Sequence, residues 1–164
     1  MDSGAIGSIA VGYPLQLWPH DDKRLLNTSE YLLNDCFVNG GFFQDMIHSG
    51  INAYLTLEIA QVLLANHDPR FIELVKTVAD LATQTGQWPE AIHPNTKGGC
   101  MGDGQHVWAA AEWVLMIRNM FVREEKDRLI LASGICDEWL HSEQEVSYGP
   151  TMTPYGTISV SIQK

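Results

Sequence analysis

Asp68-Pro69 is the dipeptide that most constrains this chain. Asp is a favoured helix N-cap and Pro a favoured first helical residue, so the pair predicts a helix beginning there. Phe71, Leu74, Val75, Val78, Ala79 and Ala82 continue it as one apolar stripe, and Gly86 stops it. Just upstream, Ile51, Leu55, Ile59, Val62 and Leu63 mark another helix, capped by Ser49 and running to about Asn66. The link between them is short, which predicts an antiparallel helical hairpin.

Two further helices flank this pair. Leu25, Leu26, Leu32, Leu33 and Cys36 predict a helix over 22–37, capped by Asp22 or Thr28 and ended by Asn39-Gly40-Gly41. A fourth is predicted from near Asp103 to about Glu124. Val107, Trp108, Ala110, Ala111, Trp113, Val114, Leu115 and Ile117 make it apolar nearly all round, so it should be buried on several sides. Residues 1–20, with Tyr13-Pro14 and Trp18-Pro19, read as an irregular segment or a short helix between prolines. The Arg123-Glu124-Glu125-Lys126 cluster reads as a solvated helix end.

Beyond residue 125 the pattern changes to short strands at Arg128–Ala132, Glu145–Tyr148 and Thr157–Ile162. The last alternates with period two, as a half-buried strand does. The expectation is a mainly α chain of antiparallel helical hairpins (residues 1–125) followed by a small antiparallel β appendage (126–164).

The chain has 164 residues, enough for a self-sufficient core without metals or disulfides. Ten basic and twenty acidic residues leave a net charge of −10, which argues against a nucleic-acid backbone or an anionic membrane as partner. Ala53–Ala65, the most apolar run, is interrupted by Thr56, Glu58 and Gln61 and falls short of the ~20 residues a membrane span needs. Cys36, Cys100 and Cys136 are odd in number and far apart, and no signal segment stands out. A cytoplasmic, reducing compartment is therefore expected.

Gln87–Gly104 reads as a long loop between two buried helices, a common design for a site. It holds Trp88, Glu90, His93, Cys100 and Asp103 and, just after it, Gln105 and His106. Glu90 follows Trp88-Pro89. A carboxylate beside an indole is partly desolvated and suited to acid–base work, or it caps a turn. His93, Cys100, Asp103 and His106 could ligate a metal, but H-x6-C-x2-D-x2-H matches no compact zinc pattern, so no metal or cofactor is expected. Trp88, Trp108 and Trp113 could stack on sugar rings or pack in the core, the latter favoured for Trp113. His48 and His67 read as end-of-helix residues.

Thr85-Gly86-Gln87-Trp88-Pro89-Glu90-Ala91, a Gly-rich stretch, and Gln105-His106-Val107-Trp108-Ala109-Ala110-Ala111-Glu112-Trp113 together resemble the six-hairpin glycosidases. These include glucoamylases and the glucosidase domain of glycogen debranching enzymes. The resemblance implies part of an (α/α)6 toroid and inverting hydrolysis of α-glucosidic bonds, with Tyr155–Val160 among the strands that close such domains. It assigns Glu90 as the general base and Trp108 to the floor of the pocket. Ala109 stands where a serine often follows that tryptophan. The polar loop residues Trp88, His93, Asp103, Gln105 and His106 would then contact an α-glucan-like oligosaccharide.

Inversion needs a second carboxylic acid roughly 6.5–9.5 Å from the base. Asp45 and Glu58 lie upstream but fit no acid motif. Twelve helices of about 11–12 residues also exceed this chain. The resemblance therefore implies the C-terminal part of an enzyme, completed by an N-terminal half or an oligomer partner, or else a non-catalytic carbohydrate-binding or interaction module of the same ancestry.

Overall fold

The computed structural model describes residues 2–45 and 49–163. It divides into two compact units, Met1–Val114 and Leu115–Lys164, with the boundary inside one helix.

The first unit begins with α1 (Asp2–Ser8) and a 3-10 turn (Ile9–Val11) that bury Ile6 and Ile9. α2 (Lys23–Asp35) starts at Asp22, whose Oδ1 accepts the Arg24 backbone N–H at 2.9 Å. Leu25, Ser29 and Leu32 form its buried stripe. β1 (Phe37–Val38) and β2 (Gly41–Gln44) follow as an antiparallel pair. Next come β3 (Gly50–Ile51), α3 (Ala53–Ala65) and α4 (Phe71–Asp80). α3 is buried from Ala53 to Leu64 and packs against α4, which turns Phe71, Leu74, Val75 and Val78 inward. β4 (Ala91–Ile92) and β5 (Gly99–Met101) precede α5 (Val107–Phe121).

The five strands form one antiparallel sheet in chain order. Ile51 sits opposite both Phe43 and Ile92, and all three central partners are short. Gly50 is required where the strands come together: a Cβ there would lie 2.8 Å from both the Ala91 Cβ and the Cys100 Sγ.

This sheet corrects the mainly α expectation. The chain is mixed α/β, 41% helix and 23% strand. The strands escape sequence reading because they are two to four residues long, too short to show a period of two. Asn39-Gly40 does not simply end a helix. Both residues have positive φ (51° and 83°), the backbone of a two-residue I′ hairpin turn, for which Asn-Gly is the preferred pair. Ser49 and Ile51 belong to the sheet side of α3, and Asn52 occupies the N-cap position. The expected loop over 87–104 contains β4 and β5.

α5 departs from expectation in a second way. Ala109, Glu112, Met116 and Met120 are buried, but Val107 is 79% exposed, Trp108 49% and Val114 59%. Its apolar composition conceals one buried face and one open face.

In the second unit, α5 runs into β6 (Val122–Glu125), which pairs with β7 (Arg128–Leu131) across a turn at Lys126 (φ 55°). The Arg123–Lys126 cluster is thus a strand and turn rather than a helix end. Arg123 is buried there, with Nη1 3.0 Å from Glu125 Oε2. α6 (Asp137–Leu140) and a long hairpin of β8 (Val146–Thr153) and β9 (Gly156–Ile162) complete the unit. Ile158, Val160 and Ile162 are half-buried while Thr157, Ser159 and Ser161 are exposed, the expected alternation. Phe121 stacks on Trp139 (5.3 Å) and on Tyr148 (5.5 Å). No helix among the described residues is long and apolar enough to cross a membrane.

Candidate functional site

Two helices of the first unit carry the same short pattern, an aromatic ring one turn before a glutamate. On α3 these are Tyr54 and Glu58, with Gln61 three residues further on the same face. On α5 they are Trp108 and Glu112. The aromatic members meet, with Tyr54 and Trp108 stacked at 4.5 Å and 27°. The carboxyl members also interact: Glu112 is the charge that acts on Glu58. Tyr13, from the irregular segment after α1, donates its hydroxyl to Glu112 Oε2 at 3.1 Å.

Both carboxyls are buried, Glu58 at 8% and Glu112 at 6% exposure. Desolvation favours the neutral acid, and the proximity of Glu112 adds to it, so the Glu58 carboxyl is pushed up to about 7. Burial also raises Glu112, against the lowering effect of its hydrogen bonds with Tyr13 and Trp108. Glu58 has no such support: no hydrogen bond reaches it among the described residues.

Glu90 approaches the cluster from the β4 side. Its N–H donates to Asp103 O at 3.1 Å, and its carbonyl accepts from Asn52 Nδ2 at 3.2 Å. Asn52 stands just before Tyr54, so one fully buried side chain ties the Glu90 backbone to the start of α3. The Glu90 side chain lies over Gly102, whose αH side leaves the room: a Cβ there would fall 1.8 Å from Oε2. Burial first, then the charges of Glu90 and Glu58, push the Tyr54 phenol up to about 12. One tyrosine hydroxyl therefore lies within the field of both carboxyls.

The other sequence-predicted residues divide clearly. His106 joins the cluster, with its ring 4.9 Å from that of Tyr54, its Nδ1 3.6 Å from Asp103 Oδ2 and its Nε2 buried without a partner. Trp108 joins it as the half-exposed ring. Trp88 does not: it is 4% exposed, packs on Trp113 at 5.3 Å and donates its indole N–H to Val78 O at 2.8 Å. Its role is to anchor the segment that bears Glu90, and the ring cannot stack on a ligand. Its carbonyl also accepts the His106 N–H at 2.8 Å, so one residue fixes both ends of the loop.

His93 turns its Nδ1 to the backbone N–H groups of Asn95 and Thr96, both at 3.2 Å. Cys100 donates to Ser49 O at 3.3 Å. Asp103 accepts the Gln105 N–H at 3.1 Å, as a turn-forming Asp does, and Gln105 itself is exposed. Asp103 lines an open groove of about 590 Å³ with Pro89 and residues 99–104. No group of three or more metal-ligating side chains comes together among the described residues. Asp45 is exposed and accepts from Ser49 Oγ at 3.3 Å, apart from the carboxyl pair. His67 closes α3 with φ 58°. His48 lies outside the described residues.

The chain matches no family model, no curated protein and no solved structure.

Tyr13, Tyr54 and Glu58 belong to no motif, and Glu112 lies in the Gln105–Trp113 stretch with no role assigned to it. A signal for the two glutamates does exist. Each interrupts a helix that is otherwise almost wholly apolar, AYLTLEIAQVLLA and VWAAAEWVLMI. A carboxyl on the buried side of such a helix is costly, so its presence points to a functional constraint.

Proposed function

We propose that this site hydrolyses α-glucosidic bonds in an oligosaccharide, with inversion at the anomeric carbon. The observation that carries the proposal is that Tyr54, one turn before Glu58 on the helix whose Asn52 side chain holds the Glu90 backbone, stacks on a Trp108 ring that stays half exposed. A sugar ring stacks on such an indole through its apolar C–H face. The motif around Glu90 that resembles the six-hairpin glycosidases supports the choice of linkage.

Glu90 is the base in this reading. Its carboxylate takes a proton from the water whose oxygen forms the new bond to the anomeric carbon. Glu58 is the acid: it gives its proton to the glycosidic oxygen as the old bond breaks. Burial suits it to that part, because a carboxyl held neutral up to about pH 7 still has a proton to give. Positive charge that develops on the sugar in the transition state is stabilised by the surrounding carboxyls.

The test is hydrolysis of maltooligosaccharides followed by proton NMR, which reads the anomer first released. Wild type should release the β-anomer. Glu90→Gln should lose on the order of a thousandfold in turnover while still binding the sugar. Turnover unchanged in Glu90→Gln would refute the assignment of the base. Sugar binding that survives Glu90→Gln, without turnover by the wild type, would make the site a carbohydrate-binding module instead.

A further inference from the structure

A strand edge left open invites another strand, and proteins ordinarily blunt such edges with a charge, a proline or a covering element. The two edges of the β8–β9 hairpin are treated differently. Pro150, which has no N–H to offer, interrupts β8 at the irregularity between Tyr148 and Thr151. The Met152 carbonyl of β8 accepts from Arg118 Nη2 at 3.0 Å, and Arg118 Nε donates to Thr151 Oγ1 at 3.3 Å. Tyr148 stacks on Phe121. β8 is thus blocked by its own proline and fastened to the last turn of α5.

β9 has none of these devices. Its seven residues include no charge and no proline. None of them is buried. Beyond the ladder with β8, no backbone–backbone hydrogen bond reaches it among the described residues. At about 3.4 Å per residue, it presents an unprotected edge about 24 Å long. A two-stranded hairpin is marginal in water, and further strands stabilise it.

We propose that β9 is an association edge for a second copy of this chain. It pairs antiparallel with β9 of the other copy, across a two-fold axis, to make a four-stranded sheet.

The sequence of the strand selects that occupant. A self-pair centred on Val160 sets Val160 opposite Val160, Ile158 opposite Ile162 and Ser159 opposite Ser161. The half-buried Ile158, Val160 and Ile162 then share one face, where β-branched side chains pack well across strands. The exposed Ser159 and Ser161 share the other face and can hydrogen-bond to each other. Charge points the same way. Each copy carries a net charge of −10, so two copies repel one another over most of their surfaces. Along β9 there is no carboxylate to oppose another, and none to attract a basic peptide. One strand pairing falls short of the roughly 800 Å² per partner of a standard interface, so the dimer dissociates on dilution.

Sedimentation equilibrium of the full chain, from about 10 µM to about 1 mM, tests it. Wild type should show a reversible monomer–dimer equilibrium. The double variant S159K/S161K puts lysine opposite lysine in this register. Both positions are exposed, so the hairpin should keep its fold, which thermal melting by circular dichroism verifies. Its dissociation constant should rise at least about tenfold. The added lysines lower the net negative charge, so repulsion between whole copies cannot account for that loss. S159E/S161E should be impaired likewise. An equimolar mixture of the two variants should associate as wild type does, because lysine then faces glutamate. A wild type that stays monomeric at about 1 mM would overturn the inference. So would a dimer that the lysines leave unchanged, or a mixture that fails to recover.

Discussion

The rings of Tyr54 and Trp108 stack at 4.5 Å, and each stands one helical turn before a buried glutamate. The stack thus connects the solvent-facing side of the site to the carboxyl pair behind it. Tyr54 is 6% exposed and Trp108 49%, so the tyrosine supports and the tryptophan presents.

Trp108→Ala should therefore separate binding from folding. The stack contributes about 0.5–1.5 kcal/mol beyond area burial, and the half-exposed ring leaves no enclosed cavity. Thermal unfolding should shift by a few degrees at most. Sugar-dependent quenching of tryptophan fluorescence should disappear. Quenching that persists would move the binding surface away from α5.

Glu58 makes stability depend on pH, with a definite sign. Its native carboxyl is raised from 4.5 to about 7. Between those values the native state holds a proton that the unfolded state has lost, so stability is greatest at low pH and falls as pH rises towards 7. The difference is on the order of 3 kcal/mol from this group alone. Glu58→Gln should flatten that part of the profile and raise the melting temperature at pH 8. Parallel wild-type and variant profiles, measured by circular dichroism from about pH 4.5 to 8, would contradict it.

Trp88 tests the loop from the other side. Its indole is buried against Trp113 and donates to Val78 O at the end of α4. Trp88→Ala should cost about 3–5 kcal/mol in urea unfolding. Trp88→Phe keeps most of the volume but leaves the Val78 carbonyl without its donor, at a cost of about 1–3 kcal/mol. A Trp88→Ala protein as stable as wild type would show that the segment bearing Glu90 is held by other contacts.

The reach of the sequence can be judged from these same residues. Asp22, Asp68-Pro69 and the leucine and valine stripes of α2 and α4 signal helices because capping and burial act within a few residues of one another. The sheet was hidden because its strands are two to four residues long and pair across distant loops; only Asn39-Gly40 carried a local sign of it. Trp88 and Trp108 look alike in sequence, both aromatic residues beside a glycine-rich segment. What separates them is tertiary: a carbonyl near the end of α4 captures one ring, while the other rests on Tyr54 and stays half exposed. Glu58 and Glu112 were legible only as interruptions of apolar helices. Their pairing joins residues 54 apart in the chain, and no spacing rule predicts it.

Gly102 holds the geometry of Glu90. Its φ of +67° favours glycine, and an alanine Cβ would lie 1.8 Å from Glu90 Oε2 and 2.6 Å from its Cβ. The backbone strain of Gly102→Ala is about 1 kcal/mol, small enough for the fold to survive. The contact is not small: rotation would free the Glu90 carboxyl but not its Cβ, so the backbone at residue 90 or 102 must shift as well. A base displaced by about 1 Å loses on the order of a hundredfold in rate. Gly104→Ala is the matched control, since its Cβ would meet nothing within 4 Å. Hydrolysis assays on the two variants should show a large loss for the first and wild-type rates for the second, with the first melting a few degrees lower. Equal activity in both would mean that Glu90 works from a different rotamer, and the part given to Gly102 would fall.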